Sequence, residues 1–393
     1  MQTHNPSRRH FLQTSAAVAS AGILQACGTS AAPSSSGNTV RPVLPAGRPA
    51  AGRGSGEDKT LRVVATSGFA PRPDQAERGL RRLYDAGFVI TNQHAVSRRY
   101  QRFAGSDAER IADFQEVATG RVATPKVLMG LRGGYGAVRL LPHIDWASLG
   151  SRMREHGTLF FGFSDVCAAQ LALLARGNCP SFAGPMLYSE FGKIQPTAYT
   201  MQSFIDGSTR SQHTIDVYAV QAQDFRPLQG TLWGGNLSVI ASLVGTPYLP
   251  DIAGGILFLE DVSEQPYRIE RMLQTLYLAG ILKKQQAVVL GDFRMGNIRD
   301  VYDSSYDFSS VIHTMRRVTG IPILTGFPFG HVANKATFPL GAHTEIRPNA
   351  SGGYRAVFSA YPTLNPAALN LASLITPITA APVVGDDGGG ESE

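Results

Sequence analysis

The sequence predicts an α/β protein with an N-terminal parallel sheet flanked by helices and a smaller C-terminal domain of mixed α+β structure. Three observations support this prediction. Between residues 60 and 185, short apolar runs alternate with amphipathic segments, as in a parallel sheet covered on both faces. Beyond about residue 184, the apolar runs become Gly-bounded and irregularly spaced. A chain of 393 residues also has room for roughly two domains of about 150 residues each.

The N-terminal elements follow from periodicity and capping. The apolar run 61–65 predicts a strand, and the segment 73–86, which repeats apolar side chains at helical spacing, predicts a helix. Ser106-Asp-Ala-Glu109 is a capping box and predicts a second helix through Val117. Strands are expected at 125–129 and 158–161, an amphipathic segment at 137–144, and a helix from about 165 to 176.

The second half predicts strands at 230–233, 255–259, 287–290 and 322–325, and a helix from about Tyr267 to Ala279. The predicted organisation is a signal at 1–27, a flexible linker at 28–59, an α/β domain at 60–185, an interdomain linker at 186–227, a C-terminal domain at 228–380 and a loose acidic tail at 381–393. The separation of Cys167 and Cys179 along the predicted helix indicates that these two thiols form no disulfide.

Composition excludes two classes of protein. Hydrophobic residues make up 43% of the chain and charged residues 17%, so the chain builds cores and is not disordered as a whole. The formal net charge is +6, but residues 1–60 hold six Lys and Arg against two Asp and Glu. The remaining balance of +2 does not form the concentrated basic face of a nucleic-acid-binding protein.

The first 27 residues resemble an export signal. Arg8 and Arg9 precede Phe11 and an Ala-rich stretch, which is the arrangement of a twin-arginine signal and is too short and polar to span a bilayer. Leu24-Gln25-Ala26-Cys27 resembles a lipoprotein cleavage box with Cys27 as the lipid anchor; the alternative is ordinary cleavage after a nearby Ala. We therefore expect a periplasmic or membrane-anchored protein, tethered by a linker with a root-mean-square span of ~30 Å.

Ser164 is the candidate nucleophile. It ends an apolar strand and begins a helical run, so its hydroxyl would stand clear of the sheet beside the backbone N–H groups of a helix start. Val166 occupies the position of the second glycine in the usual Gly-x-Ser-x-Gly turn. The alternative role for Ser164 is that of a helix N-cap.

A serine nucleophile needs a base and a group that orients the base. His331 is the candidate base because it follows the predicted strand 322–325 in a loop shaped by Gly and Pro; a structural loop histidine is the alternative. Glu260 ends the apolar run 255–259 and is the candidate acid; the alternative is a solvated strand end equivalent to Asp261 and Glu264. No metal-binding motif is present in the sequence, and no cofactor is predicted.

Several motifs together resemble the L,D-carboxypeptidases, the muramoyltetrapeptide carboxypeptidases of serine peptidase family S66. In order they are Arg132-Gly-Gly-Tyr-Gly136 with Arg139-Leu-Leu, Gly162-Phe-Ser-Asp165, Gly234-Gly-Asn-Leu237, the run 256–261 with 266–273, and 326–331 with Pro339-Leu-Gly341. The resemblance covers roughly residues 61–341. It implies a flavodoxin- or glutaminase-like first domain, a site in a cleft between two domains, and a homodimer.

The resemblance also implies the role of each residue. Ser164 would be the nucleophile, His331 the general base and Glu260 the residue that orients it, releasing the terminal D-alanine from murein tetrapeptide stems through an acyl-enzyme. Backbone N–H groups of Asp165 and Gly134 would form the oxyanion hole. Substrate contacts are expected from Tyr135 and Asn236, and the exopeptidase role suggests that Arg132 or another cation of the cleft binds the terminal carboxylate.

Two alternatives remain at this point. Microcin-immunity-type enzymes of the same family cleave aminoacyl- or peptidyl-nucleotides. Trp233 is the candidate aromatic platform for the base; its alternative role, which we favour, is that of a core residue. A catalytically inactive wall-binding lipoprotein with the same fold is the second alternative. Family members act in the cytoplasm on recycled wall peptides, whereas the export signal of this chain favours trimming of stems outside the cytoplasmic membrane.

Overall fold

The computed structural model describes residues 58–218 and 224–375. The predicted signal, Cys27, the linker up to residue 57 and the acidic tail lie outside the described residues. Within the described ranges, no helix combines the length and the apolar character needed to cross a membrane.

The strands and helices alternate along the first half of the chain and are mixed in the second. In chain order they are β1 Thr60–Val64, α1 Pro73–Asp85, β2 Val89–Thr91, α2 Asp107–Ala118, β3 Val127–Gly130, α3 Trp146–His156, β4 Leu159–Gly162, α4 Cys167–Gly177, β5 Ser181–Ala183, α5 Ala198–Thr209, β6 Gln212–Val217, β7 Leu228–Asn236, α6 Leu237–Ser242, β8 Gly255–Glu260, α7 Pro266–Leu278, β9 Gln285–Leu290, α8 Phe308–Thr319, β10 Ile323–Leu324, β11 Phe338–Leu340, β12 Ala342–Pro348 and β13 Tyr354–Ser359.

The first sheet has the order β11-β5-β4-β3-β1-β2, and its five N-terminal strands are parallel. The predicted capping box opens α2, with the Ser106 hydroxyl and the Glu109 carboxylate each bonding the other's backbone N–H. β3 and β4 are buried along their whole length, as strands covered by helices on both faces must be. The predicted α/β class is confirmed.

The second sheet has the order β10-β9-β8-β7-β12-β13-β6. The strands from β10 to β7 are parallel, whereas β12, β13 and β6 join antiparallel, which makes the sheet mixed. Since β7 and β8 are parallel, their carboxyl ends meet at the same edge, where Asn236 is in register with Glu260. This edge carries part of the site described below.

Three features differ from the sequence expectation. β11, from the C-terminal half, pairs antiparallel with β5 at the end of the first sheet. The predicted interdomain linker, 186–227, contains helix α5 and strand β6, which pairs with β13 in the second sheet. The predicted amphipathic segment 137–144 forms two short 3₁₀ turns. Such elements are difficult to predict from a short polar stretch, because the residues that pack against them lie far away in the chain.

The two described cysteines are free and buried. Burial raises the pKa of the Cys179 thiol to about 12. Burial, and secondarily the charge of Glu260, raises the pKa of Cys167 far above its usual value. Both side chains therefore act as apolar packing groups and not as nucleophiles.

Candidate active site

Ser164 lies in a sharp turn between β4 and α4. Its backbone φ is +58°, a left-handed conformation that is unusual for serine, and the 3₁₀ turn Ser164–Val166 leads directly into the helix. Gly162 makes this turn possible, because a Cβ atom there would lie 2.4 Å from Val166 Cγ1. A strained conformation of this kind is typical of functional positions, and here it carries a hydroxyl side chain.

Three side chains form a hydrogen-bonded chain. Ser164 Oγ lies 3.0 Å from His331 Nε2, and His331 Nδ1 lies 2.9 Å from Glu260 Oε2. A carboxylate can only accept, so the Nδ1–H donates to Glu260, and the unprotonated Nε2 faces Ser164 Oγ as the acceptor of the serine proton. The Glu260 carboxylate is buried, with 1% of its side chain exposed. The arrangement is that of a serine nucleophile, a base and an orienting acid.

Asn236 holds the Glu260 carboxylate from the neighbouring strand. Its side-chain amide donates to Glu260 Oε1 and to Asp261 Oδ1, each at 3.2 Å. Asp261 also accepts from the backbone N–H groups of Ser238 and Val262, both at 2.9 Å. Burial, together with the nearby charge of Glu260, raises the pKa of Asp261 to about 7.

The loop that carries His331 is fixed from two sides. The Arg294 guanidinium donates to the His331 carbonyl oxygen at 2.9 Å. The Phe163 ring packs edge-on against the imidazole, with ring centroids 5.3 Å apart. Phe163 immediately precedes the nucleophile, so one aromatic ring spans the junction between the nucleophile and the base.

A cavity of about 510 Å³ opens onto Ser164 and His331. Its wall is strongly cationic, because the charged side chains that line it, apart from the imidazole, are Arg72, Arg132, Lys193, Arg294, Lys335 and Glu190. Lys335 and Glu190 form a buried ion pair, with 2.5 Å between Nζ and Oε1. An anionic ligand would therefore be favoured next to the nucleophile.

Gly133, which precedes the predicted oxyanion donor Gly134, lies beside the nucleophile. A Cβ atom on Gly133 would lie 2.7 Å from Ser164 Oγ, whereas one on Gly134 would face Gly68. The Gly133 carbonyl accepts from the Gly68 N–H at 3.1 Å. Since C=O and N–H of one trans peptide point in opposite directions, the Gly134 N–H points away from Gly68. The Asp165 carboxylate accepts from Ser67 Oγ and Ala137 N, which anchors the other side of the turn.

The three residues that were predicted to contact substrate lie in different surroundings. Arg132 lines the cavity, where its guanidinium donates to the Phe69 carbonyl at 2.9 Å and lies over the Tyr188 ring. Tyr135 does not line the cavity and packs on Phe103 at the surface. Asn236 is buried between two carboxylates and does not line it either. Tyr135 is exposed and Asn236 supports Glu260, and the contacts of these two residues with a substrate stay predictions.

Sequence reasoning did not single out Lys335, Glu190 and Arg294. Glu190 and Lys335 are 145 positions apart and meet only through the fold. A weak signal existed for Lys335, which precedes the buried run 336–340 and stands four positions after His331. A lysine at the start of a buried strand must bury a charge or find a partner.

The serine, the imidazole and the buried carboxylate define a serine-type hydrolase. Its α/β fold contains two sheets. Family models for the LD-carboxypeptidase N-terminal and C-terminal domains match residues 61–184 and 229–346. The chain belongs to the LD-carboxypeptidase family, serine peptidase family S66, and is a serine-type carboxypeptidase.

Relatives and solved structures agree with this assignment. The murein tetrapeptide carboxypeptidase of Pseudomonas aeruginosa is 28% identical over 70% of this chain and 89% of its own. The crystal structure of muramoyltetrapeptide carboxypeptidase from Oxalobacter formigenes is 36% identical, with a TM-score of 0.69, over 77% of this chain and all of that one. The Microcin C7 self-immunity protein MccF of Escherichia coli is 26% identical over 68% of this chain and 84% of its own.

Proposed function

We propose that this protein is an L,D-carboxypeptidase that releases the terminal D-alanine from murein tetrapeptide stems through an acyl-enzyme. The observation that carries the proposal is the chain from Ser164 through His331 to Glu260 at the mouth of a cationic cavity. A stem tetrapeptide is polyanionic, since it carries a free carboxylate at its end and others along its length. Two relatives named for murein tetrapeptide or muramoyltetrapeptide cleavage support the substrate class.

The geometry supports a two-step acyl transfer. His331 Nε2 takes the proton of Ser164 Oγ, and the oxygen attacks the carbonyl carbon that precedes the terminal D-alanine. The imidazolium, stabilised by Glu260, then gives this proton to the leaving amine. Water activated by the same imidazole hydrolyses the ester and regenerates the serine. The backbone N–H groups of Asp165 and Gly134 are the proposed donors to the oxyanion.

Mass spectrometry of purified stem peptides tests the substrate. Incubation with tetrapeptide should yield the tripeptide and free D-alanine, whereas the pentapeptide should stay intact. Ser164→Ala is the control, because it keeps the fold and removes the nucleophile. Cleavage of the pentapeptide, or inertness toward the tetrapeptide, would contradict the proposed substrate.

The alternative within the family, hydrolysis of aminoacyl- or peptidyl-nucleotides, has less support. The Trp233 side chain, the candidate platform for a nucleobase, is fully buried, as the core interpretation of this residue predicts, and its indole N–H donates to Gln285 Oε1 at 2.9 Å. It is a core residue and cannot stack on a ligand. An aminoacyl sulfamoyl adenosine incubated with the enzyme should therefore remain uncleaved.

We also propose that the enzyme acts outside the cytoplasmic membrane, on the basis of Arg8, Arg9 and Cys27. Replacing both arginines by lysine in the full chain should retain the protein in the cytoplasm during cell fractionation. Cys27→Ala should move the exported protein from the membrane fraction to the soluble periplasm. An unchanged distribution of either variant would contradict the corresponding part of this proposal.

A further inference from the structure

Lys335 is the buried cation of the cavity wall. Its side chain is 3% exposed, its ammonium donates to Glu190 Oε1 at 2.5 Å, and it lies 4.0 Å from the centroid of the Phe163 ring. An ammonium has three N–H donors. It can therefore donate to Glu190 and to a ligand in the cavity at the same time.

The charge around Lys335 is not cancelled by Glu190. Burial raises the pKa of Glu190, but the charges of Lys335 and Lys193 outweigh it, so the pKa lies below its usual value and the carboxylate is ionised at neutral pH. Its second oxygen accepts from Met186 N and Ser189 Oγ. One carboxylate thus faces two lysines, and the cluster keeps an excess positive charge directed at the cavity.

Lys335 is linked to the catalytic residues through one side chain. The Phe163 ring contacts both the Lys335 ammonium and the His331 imidazole. Standard bond lengths place the carboxylate of a C-terminal residue within about 5 Å of the scissile carbonyl carbon, so its binding group is expected among the cavity residues near Ser164.

The three arginines of the cavity are less suited to this task. Arg72 and Arg294 are exposed, where water screens their charge. Arg294 is bonded to the His331 carbonyl. Arg132 is half-buried, and its guanidinium is bonded to the Phe69 carbonyl and stacked over Tyr188.

We infer that Lys335, held in place by Glu190, binds the terminal carboxylate of the leaving residue and thereby restricts cleavage to the end of the peptide. The inference rests on the proposed carboxypeptidase reaction and adds the residue that selects a free C-terminus. Sequence reasoning left Arg132 or another cation of the cleft as the group that binds the terminal carboxylate, and the inference assigns this role to the buried lysine.

The experiment compares kcat/KM for a tetrapeptide acid and for the same peptide ending in D-alaninamide. The wild-type enzyme should prefer the acid, and the ratio of the two values is the readout. The variant is Lys335→Met with Glu190→Gln, which removes both charges and leaves no unpaired carboxylate. We expect the ratio to fall about 10- to 100-fold, since a charge-assisted hydrogen bond in a buried site is lost.

A merely structural role would lower both kcat/KM values together and leave their ratio unchanged, and that result would overturn the inference. Arg132→Gln is the matched control on the half-buried cation. If it, and not the double variant, abolishes the preference for the acid, Arg132 is the anchor and the inference is wrong. If thermal melting shows that the double variant is unfolded, Lys335→Gln with Glu190→Gln replaces it, since two amides can bond each other.

Failure of the proposed function is distinguishable from failure of this inference. A wild-type enzyme that cleaves neither the acid nor the amide contradicts the proposed substrate. A wild-type enzyme that cleaves both equally well contradicts the carboxylate anchor alone.

Discussion

The two halves of the active site are positioned by different means. In the nucleophile half, residues 162–166 with Gly133, Ser164 is held by main-chain conformation: a positive φ and a turn that only glycine permits. In the base half, formed by Asn236, Glu260, Asp261 and His331, side-chain hydrogen bonds join segments far apart in the chain.

This difference indicates how each half responds to substitution. A backbone-positioned nucleophile tolerates changes of neighbouring side chains but not an added Cβ atom at close contact. A base positioned by hydrogen bonds depends on the chemical identity of each partner, because a buried donor or acceptor that loses its partner is costly. Four variants test whether the main chain positions the nucleophile and side-chain hydrogen bonds position the base.

The largest effect is expected for Ser164→Ala. Removing the hydroxyl deletes the attacking group, so kcat for tetrapeptide cleavage should fall by at least about 10³-fold. The melting temperature should stay close to that of the wild type, because the hydroxyl is not needed to hold the turn. Activity within tenfold of the wild type would exclude Ser164 as the nucleophile.

Glu260→Gln should be next, with kcat lower by about 10²- to 10⁴-fold, because an amide in place of the carboxylate no longer favours the tautomer with a proton on Nδ1. The matched control is the adjacent carboxylate: Asp261→Asn should change kcat by less than about tenfold, since the hydrogen bonds of Asp261 go to Asn236 and to two backbone N–H groups. Steady-state kinetics at pH 7 compare the two variants. Equal losses would show that the two carboxylates act as one unit.

Gly133→Ala tests the nucleophile half by its backbone. The added Cβ atom would lie 2.7 Å from Ser164 Oγ and 2.8 Å from Ser164 Cβ, closer than unbonded atoms pack. We expect kcat to fall about 10- to 100-fold and stability to fall by about 1–3 kcal/mol. Kinetics and thermal melts measure both effects. A variant with wild-type kcat would show that the turn can shift without cost.

The same contrast explains what the sequence could predict. The Ser164 turn is local: an apolar strand, a glycine and a helical run stand within about a dozen residues. The class of fold was likewise visible in the alternation of strands and helices before residue 185. Local periodicity and capping carry this information because both depend on neighbours in the chain.

Other features depend on distant contacts and have no local signature. The pairing of β11 with β5 joins two strands that are far apart in the chain. The ion pair between Glu190 and Lys335 joins a short π-helical turn, Leu187–Phe191, to the loop after His331. Single residues of this kind look like ordinary surface charges in a sequence.

The smallest effect concerns stability of the base half as a function of pH. The folded-state pKa of Asp261 is raised to about 7 from an ordinary value of 3.8, chiefly by burial. Between about pH 4 and pH 7 the folded protein therefore holds one more proton at this site than the unfolded chain does. The stabilisation is complete below pH 4 and is lost as the pH rises through 7.

Asp261→Asn should remove this dependence. Denaturant unfolding at pH 5 and pH 8 would measure it: the wild type should lose on the order of 2 kcal/mol more than the variant between these two pH values. The asparagine places an N–H opposite the Ser238 N–H, which lowers the stability of the variant by an amount that does not change with pH. The slope is therefore the readout. Parallel pH profiles would show that Asp261 stays ionised in the fold, stabilised by the three donors that surround it.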